Sequence, residues 1–309
     1  MGNREEAQLQ HQELADAILA SMETDGLHWT KGWSVFPPEN GAKGNRYNGI
    51  NRMYLTWTAI RRGYDDPRWC TFKQATAKGW NMKGQKAAAK VEFWDRKLKD
   101  KKDENGNIIY DEDGNPKKEP YFIIKLYHVF NLGNIEDAPK FLPELQAPEG
   151  DYTLADFLEE SYFKKNGIWY KELWTVEQAA YAPFSDTVMM PKREAFMTSE
   201  QFLSTLAHEA IHSTGRKDRC DRKSSSLFGS ESYAFEELVA ELGGMFLCQD
   251  FGIKYDPDTD KMESHAAYLQ HWKSHLSDKK TGGEWMASAI KKALKAVTFI
   301  EGKAPEDEE

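Results

Sequence analysis

Residues 198–215, TSEQFLSTLAHEAIHSTG, carry the strongest local structural signal in the chain. Apolar residues recur along it at helical spacing, which predicts a helix with one face turned to a core. Thr198 and Gln201, three positions apart, make a capping-box pair at its start, and Gly215 is a natural C-terminal stop. The stretch therefore predicts one helix with both ends marked.

This predicted helix carries His208, Glu209 and His212 in the pattern HEAIH. Two histidines four residues apart lie on one helix face, so both rings can bind the same ion. Glu209 follows the first histidine and lies where it can take a proton from metal-bound water. This is the zincin pattern, and it predicts a zinc site in which Glu209 is the general base of a metallopeptidase.

A catalytic zinc needs a third protein ligand, and the sequence offers three candidates. Glu237 is preferred, because Glu241 lies on the same helix face one turn later in YAFEELVAELGGMFL. In gluzincin-like peptidases a ligand Glu is followed, four residues later, by an acid that supports a ligand His, and Glu241 is predicted to do so here. Asp218, in a metzincin-like position, and Glu236 are the alternatives.

Two short runs before the motif helix, IWYKELW and SDTVMMP, predict strands of the same domain. SDTVMM (185–190) is expected to supply an edge strand for the domain. An extended peptide could lie against such an edge by adding a further strand to the sheet.

The N-terminal half contains a basic block inside an acidic protein. The whole chain has 41 Lys and Arg against 50 Asp and Glu, a net charge of −9. Residues 26–90 have 12 basic and 3 acidic residues, a net charge of +9. The block is also dense in aromatic rings. Lys and Arg neutralise phosphates and exposed rings stack on unpaired bases, so this mixture favours a single-stranded nucleic acid over a duplex.

The candidate DNA contacts lie within this block. The alternative interpretation is a small domain with an aromatic core and a solvated basic surface, since buried Trp and Tyr are common. The predicted phosphate contacts are Lys31, Arg46, Arg61, Arg62, Lys73, Lys83 and Lys86, and the predicted stacking rings are Trp29, Tyr47 and Trp80.

The pattern of elements predicts an α+β protein of two domains, a small mixed α/β DNA-binding domain followed by a zincin-like metallopeptidase domain. Helices are expected at 5–24 and 53–62, and strands at 89–94 and 121–132. Residues 96–119 are a charged insertion with two turn signals, NGN and DGN, and predict an exposed hairpin or a disordered loop. The predicted division is a DNA-binding domain at 1–135, a linker at 136–152, a metallopeptidase domain at 153–300 and a disordered acidic tail at 301–309.

Over nearly its whole length the chain resembles the ArdC-type antirestriction proteins of plasmids and phages. It departs from them in the insertion around 97–119 and at Cys220, where a hydrophobic residue is more usual. The resemblance rests on RYNGIN, PRWCTFKQATAKGW, MKGQKAAAKVEFW and the strand ending VFN in the N-terminal half, and on YAPFSDTVMMP, FLSTLAHEAIHSTG and YAFEELVAELGGMFL in the C-terminal half.

The resemblance implies that the chain binds single-stranded DNA, carries a zincin-like metallopeptidase domain and protects incoming mobile DNA from host restriction. Zinc is the expected metal, with another divalent ion such as manganese as the alternative. A competing interpretation is a zinc endopeptidase that acts on a protein substrate and has no DNA role; the basic block argues against it. A third interpretation is a DNA-binding module whose metal is purely structural. Glu209 argues against it, because a structural metal site does not need a general base beside the ion.

Composition excludes several other classes. No stretch approaches the roughly 20 consecutive apolar residues that a membrane span needs. Cys70, Cys220 and Cys248 are an odd number of widely spaced cysteines, which argues against a disulfide framework. The expected location is the cytoplasm.

Overall fold

The computed structural model describes residues 2–26, 36–142, 150–222, 231–258 and 265–303. The described residues form helices and two mixed sheets in which most strand pairs are antiparallel, which confirms the predicted α+β class. None of the helices described is long and apolar enough to cross a bilayer. The helices are α1 (Asn3–Asp25), α2 (Gly49–Arg62), α3 (Phe72–Ala77), α4 (Thr153–Phe157), α5 (Lys164–Asn166), α6 (Ser199–Ser213), α7 (Glu231–Asp250), α8 (His265–Leu276) and α9 (Gly282–Ile300), with a π-helical stretch, Leu158–Phe163, between α4 and α5. The strands are β1 (Glu39–Asn40), β2 (Arg68–Thr71), β3 (Ala89–Asp100), β4 (Lys118–Asn131), β5 (Trp169–Leu173), β6 (Ala180–Ala182) and β7 (Thr187–Pro191).

The first sheet belongs to the N-terminal half and has the strand order β1-β2-β4-β3. β1 runs parallel to β2, whereas β2 and β3 are both antiparallel to β4. β3 and β4 pair continuously from Ala89 with Val129 to Asp100 with Lys118, and so form a long two-stranded ribbon. Helix α2 covers the base of the sheet, where Leu55 and Trp69 are fully buried.

The charged insertion at 96–119 is the outer part of this ribbon, and of its two predicted forms the hairpin is confirmed. Both turn signals use an Asp side chain to bond the backbone of their own turn, as Asx turns do. The carboxylate of Asp103 accepts a hydrogen bond from the N–H of Asn107 at 2.8 Å, and that of Asp111 accepts one from Asn115 at 2.8 Å.

The second sheet has the order β5-β7-β6, so that β7 lies in its centre. β7 pairs in parallel with β5 and antiparallel with β6. The prediction that SDTVMM (185–190) supplies an edge strand is therefore wrong, because both sides of β7 are hydrogen-bonded to neighbours. β6 is an edge strand, and it packs against α6.

One hydrophobic core joins the two halves of the chain. In α1, Leu14, Ile18 and Met22 belong to the same buried cluster as residues of α6, α7 and α9. Helix α9 approaches α1 so closely that a Cβ at Gly283 would lie 2.7 Å from the backbone nitrogen of Gln12. The domain boundaries stay a prediction, but a fragment ending at residue 135 would expose the apolar face of α1 to water.

A buried arginine adds a polar link between the halves. Arg52, in α2, donates to the carbonyl oxygen of Phe246 at 2.9 Å, to the side-chain oxygen of Gln249 at 3.0 Å and to the carboxylate of Asp250 at 3.1 Å. These groups form the last turn of α7, where a cation is favoured by the helix dipole. The helix that carries Glu237 is therefore anchored at its C-terminal end by the N-terminal half.

Candidate metal centre

Helix α6 carries His208 and His212. Its ends lie close to the positions that Thr198 and Gly215 predicted. Thr198 is the N-cap, and its hydroxyl accepts a hydrogen bond from the N–H of Gln201 at 3.2 Å. The Gln201 side chain accepts from the N–H of Met197 instead of Thr198, so the predicted capping box is only half formed. After the last turn, a Cβ at Gly215 would lie 3.1 Å from the carbonyl oxygen of His212, and glycine gives the chain room to turn away.

Small residues let α7 approach α6 closely. A Cβ at Gly243 would lie 2.8 Å from the side chain of Ile211, and one at Gly244 would lie 3.2 Å from the backbone nitrogen of His208. Both contacts are tighter than a Cβ normally makes, so a larger residue at either position would force its neighbour to shift. The close approach brings the carboxylate of Glu237 against the histidine pair.

His208, His212 and Glu237 offer ligand atoms that converge on one point. The two Nε2 atoms are 3.0 Å apart, and the carboxylate oxygens of Glu237 lie 3.5 Å from Nε2 of His208 and 3.4 Å from Nε2 of His212. Ligands at about 2.0–2.1 Å from a tetrahedral ion lie about 3.3 Å from one another, so these distances fit a zinc-sized ion. Among the residues that the structure describes, no other group of three His, Cys, Asp or Glu side chains converges in this way.

A second carboxylate faces the other nitrogen of each histidine ring. Glu241 has an oxygen 3.4 Å from Nδ1 of His208, which is the position predicted for its supporting role. Glu236 has an oxygen 3.7 Å from Nδ1 of His212, so this alternative third ligand lies on the far side of the ring from the convergence point. Such partners orient a ligand ring and select its tautomer.

Two residues without a sequence signal anchor these outer carboxylates. The hydroxyl of Tyr255 donates to Glu241 at 3.0 Å. Arg222 donates to both oxygens of Glu236, at 2.7 and 2.9 Å, and to the carbonyl oxygen of Ile211 at the end of α6, at 2.8 Å. Because both residues lie in irregular segments that follow a helix, only the packed fold brings them to the site.

Burial and the neighbouring charges shift the pKa values of these groups. Burial lowers the pKa of His208, but the carboxylates of Glu237 and Glu241 outweigh it and raise the pKa to about 9. The pKa of His212 lies well above its usual value for the same reason, since Glu237 and Glu236 outweigh burial. Burial raises the pKa of Glu237, whereas the two rings hold it well below its usual range. Protons on the rings therefore compete with a cation, and metal affinity should rise as the pH increases.

Glu209 lies beside this cluster and is 4% exposed. The backbone N–H of Tyr181, in the edge strand β6, lies close enough to this carboxylate to favour its charged form. Burial raises the pKa of Glu209 above its usual value, and the rings of His208 and His212 oppose that rise. A raised pKa brings a carboxylate closer to neutral pH, where a general base works best.

Asp218, the metzincin-like candidate, does not reach the cluster. Its side chain is 64% exposed and pairs with Arg216 at 3.1 Å. The turn after α6 thus directs this carboxylate to solvent, so the geometry favours Glu237 as the third ligand.

The predicted DNA contacts occupy different environments. Trp29 and Lys31 lie outside the described residues. Tyr47 and Trp80 are half-buried rings that pack on hydrophobic clusters of the first sheet, and Arg46 pairs with Asp250 at 2.7 Å. The other predicted contacts are exposed cations: Arg61, Arg62, Lys73, Lys83 and Lys86. A DNA-binding role for all ten stays a prediction.

The outer carboxylates lead to a testable prediction. We expect Glu241→Gln and Glu236→Gln each to weaken zinc binding by about 10- to 100-fold, because an amide does not hold the ligand ring as a carboxylate does. Competition with a chromophoric chelator measures this affinity, and Asp218→Asn, at an exposed carboxylate, is the control. Unchanged affinity in both glutamate variants would contradict the assignment.

Two family models match the chain, one in each half. Residues 8–130 match the N-terminal domain of the anti-restriction factor ArdC, and residues 160–283 match a zincin-like metallopeptidase family. The convergent cluster lies in the second match. Fold and site together define a zincin-like domain joined to an ArdC-type N-terminal domain.

Two solved structures are similar to this chain over nearly its whole length. The metal-free crystal structure of antirestriction protein ArdC from plasmid R388 is 30% identical, with a TM-score of 0.67 over 96% of this chain and 99% of that chain. The Mn(II)-bound structure of the same protein is 31% identical, with a TM-score of 0.66 over 94% and 97% of the two chains. The chain belongs to the ArdC antirestriction family. The zincin-like domain and the Mn(II)-bound relative indicate a divalent metal.

Curated relatives include longer proteins. Two Escherichia coli proteins named DNA primase TraC are 30% and 29% identical, each over 87% of this chain, but the chain spans only 18% and 25% of their lengths. An uncharacterised protein of Sinorhizobium fredii is 28% identical over 85% of this chain and 82% of its own length.

Proposed function

We propose that this chain is an antirestriction protein of a mobile element that binds single-stranded DNA and carries a zinc metallopeptidase-like site, and that it protects incoming DNA from host restriction. One observation carries the proposal. His208, His212 and Glu237 converge in a chain whose other half is an ArdC-type N-terminal domain with exposed cations. We also infer that the protein acts in the cytoplasm, since three buried thiols, Cys70, Cys220 and Cys248, suit a reducing compartment.

Zinc is the metal that we propose for the site. Two imidazoles and one carboxylate are a common ligand set of catalytic zinc, in which the fourth position stays open for water. Manganese favours sites richer in oxygen, but the Mn(II)-bound relative makes it the alternative to test. Mass-spectrometric metal analysis of the purified chain distinguishes the two ions.

The residues around the cluster suit hydrolysis of a peptide bond. A bound zinc ion would supply Lewis acidity and a water whose pKa is lowered to about 7. Glu209 can accept the proton of that water and pass it to the departing amine. β6 lies at the edge of its sheet, and an extended peptide could add to this edge.

The second candidate function is a zinc endopeptidase that acts on a protein substrate and has no DNA role. The burial of Glu209 beside the histidine pair favours it, because a buried acid of raised pKa is suited to proton transfer. The two candidates differ in one property, since the endopeptidase would not bind single-stranded oligonucleotides at low salt.

We expect the full chain to bind a single-stranded oligonucleotide with an affinity that falls steeply as salt rises, because bound phosphates release their counterions. Replacing Arg61 and Arg62 together by alanine should reduce the slope of log affinity against log salt by about 1.4. Fluorescence anisotropy between about 50 and 200 mM salt measures the slope.

Two controls accompany this measurement. Lys164→Ala combined with Lys165→Ala removes two adjacent exposed lysines from the second half of the chain and should leave the slope unchanged. Glu209→Gln should also bind DNA normally, because it changes no exposed cation. Absence of binding at about 50 mM salt, or equally tight binding of duplex, would contradict the proposed DNA role.

A further inference from the structure

The ribbon of β3 and β4 has a row of exposed apolar side chains on one face. Successive residues of a strand point to opposite faces, so odd-numbered residues of both strands share this one. Phe93, Tyr121, Ile123 and Tyr127 are each between 38% and 43% exposed, and we call these four residues the ring face. The rings of Phe93 and Tyr127 pack edge to face with their centroids 6.3 Å apart.

Lysines flank the ring face. Lys97 and Lys125 lie on the same face and share one partner, Asp95, at 3.1 and 2.6 Å, so this group keeps an excess positive charge. Over the paired strands of the ribbon, β3 and β4, six Lys and Arg stand against four Asp and Glu. Exposed rings with surplus cations are the surface that a polyanion with unpaired bases fits.

We propose that the ring face is a contact surface for single-stranded DNA, on which bases stack against Tyr121 and Tyr127 while the neighbouring lysines bind phosphates. The proposal deepens the DNA role proposed above and rests on it. Tyr47 and Trp80 are packed into hydrophobic clusters, whereas the ring face is open to solvent. Tyr121 and Tyr127 are six residues apart on β4, about 20 Å along the strand, so the two rings can contact separate bases of one extended strand of DNA.

The lysines favour a nucleic acid over the other occupants of an exposed apolar face. A second copy of this chain that paired ring face to ring face would bring like-charged lysines together. A protein partner would need apolar and acidic side chains at matching positions. Single-stranded DNA satisfies both the rings and the cations without a further requirement.

The test compares rings on opposite faces of the same strand in the full chain. Tyr121→Ala combined with Tyr127→Ala should weaken binding of a single-stranded oligonucleotide by roughly 10-fold for each ring removed. Phe122→Ala is the matched control, because this ring is 43% exposed on the opposite face of β4. Its affinity should equal that of the wild-type chain. Thermal melts by circular dichroism verify that all variants are folded.

The outcomes separate this inference from the DNA role itself. If the wild-type chain does not bind the oligonucleotide at low salt, the proposed function fails. If it binds, but the double variant binds as tightly as Phe122→Ala, only the ring-face inference is overturned. A double variant that loses self-association, measured by sedimentation, while keeping its DNA affinity would identify a second copy as the occupant and also overturn the inference.

A crosslinking measurement keeps the inference testable if the double variant does not fold. An iodouracil-substituted oligonucleotide is irradiated with the wild-type chain, and the crosslinked peptides are identified by mass spectrometry. Crosslinks to Tyr121 or Tyr127 support the ring face. Crosslinks confined to other parts of the chain overturn it.

Discussion

Glu237→Ala is expected to lose most of its bound metal. The carboxylate is one of three groups whose ligand atoms converge, with oxygens 3.5 and 3.4 Å from the two Nε2 atoms of the histidine pair. Removing a direct ligand should exceed the roughly 10- to 100-fold loss that an outer partner causes, so we expect zinc affinity to fall by at least about 1,000-fold. Metal content after desalting and competition with a chelator both measure this loss.

Two controls make the result specific. Glu209→Gln changes an equally buried acid beside His208 and should keep the metal while losing any peptide hydrolysis. Asp218→Ala changes an exposed acid and should keep both. Full metal retention in Glu237→Ala, together with loss in Asp218→Ala, would transfer the third-ligand role to Asp218 and replace the gluzincin-like interpretation with a metzincin-like one.

The largest expected loss of stability comes from Arg52→Met. Arg52 is 3% exposed and binds the last turn of α7 through three groups. Without it, the buried carboxylate of Asp250 loses a cation, and the backbone of Phe246 loses a donor. Breaking a buried ion pair by removing one partner costs about 3–5 kcal/mol. Because Arg46 still pairs with Asp250 at 2.7 Å, we expect the lower end of that range, about 3 kcal/mol.

Thermal unfolding measures this loss as a fall in Tm of about 5–10 °C. Arg62→Met is the matched control, since it makes the same change on an exposed position of the same helix and should alter stability by less than about 0.5 kcal/mol. Equal melting temperatures for the two variants would show that the link between α2 and α7 contributes little.

Much of the candidate metal site could be predicted from local sequence. The spacing of His208 and His212 places both rings on one face of any helix, whatever packs around it, and the same holds for Glu237 and Glu241. Helix signals such as Thr198 act within a few residues, so the bounds of α6 followed from them as well.

The other features of the fold and of the site depend on long-range packing. Alternation in a strand shows which residues share a face but does not show which neighbours pair with its edges, so the central place of β7 was not evident from SDTVMM. A ring in a basic block can be core or surface, and only the fold shows that Tyr47 is packed while Tyr121 is exposed.

Local periodicity was enough to predict the helix that carries the HEAIH motif and the shared face of the second acidic pair, because both depend on the period of a single helix. The convergence of the ligand atoms, and the groups that hold them, depend on tertiary packing. Tyr255, Arg222 and Arg52 each reach their partners across chain segments that are separate in sequence. Such contacts form when several elements pack at once, and the burial that results is what shifts the protonation of the histidine pair.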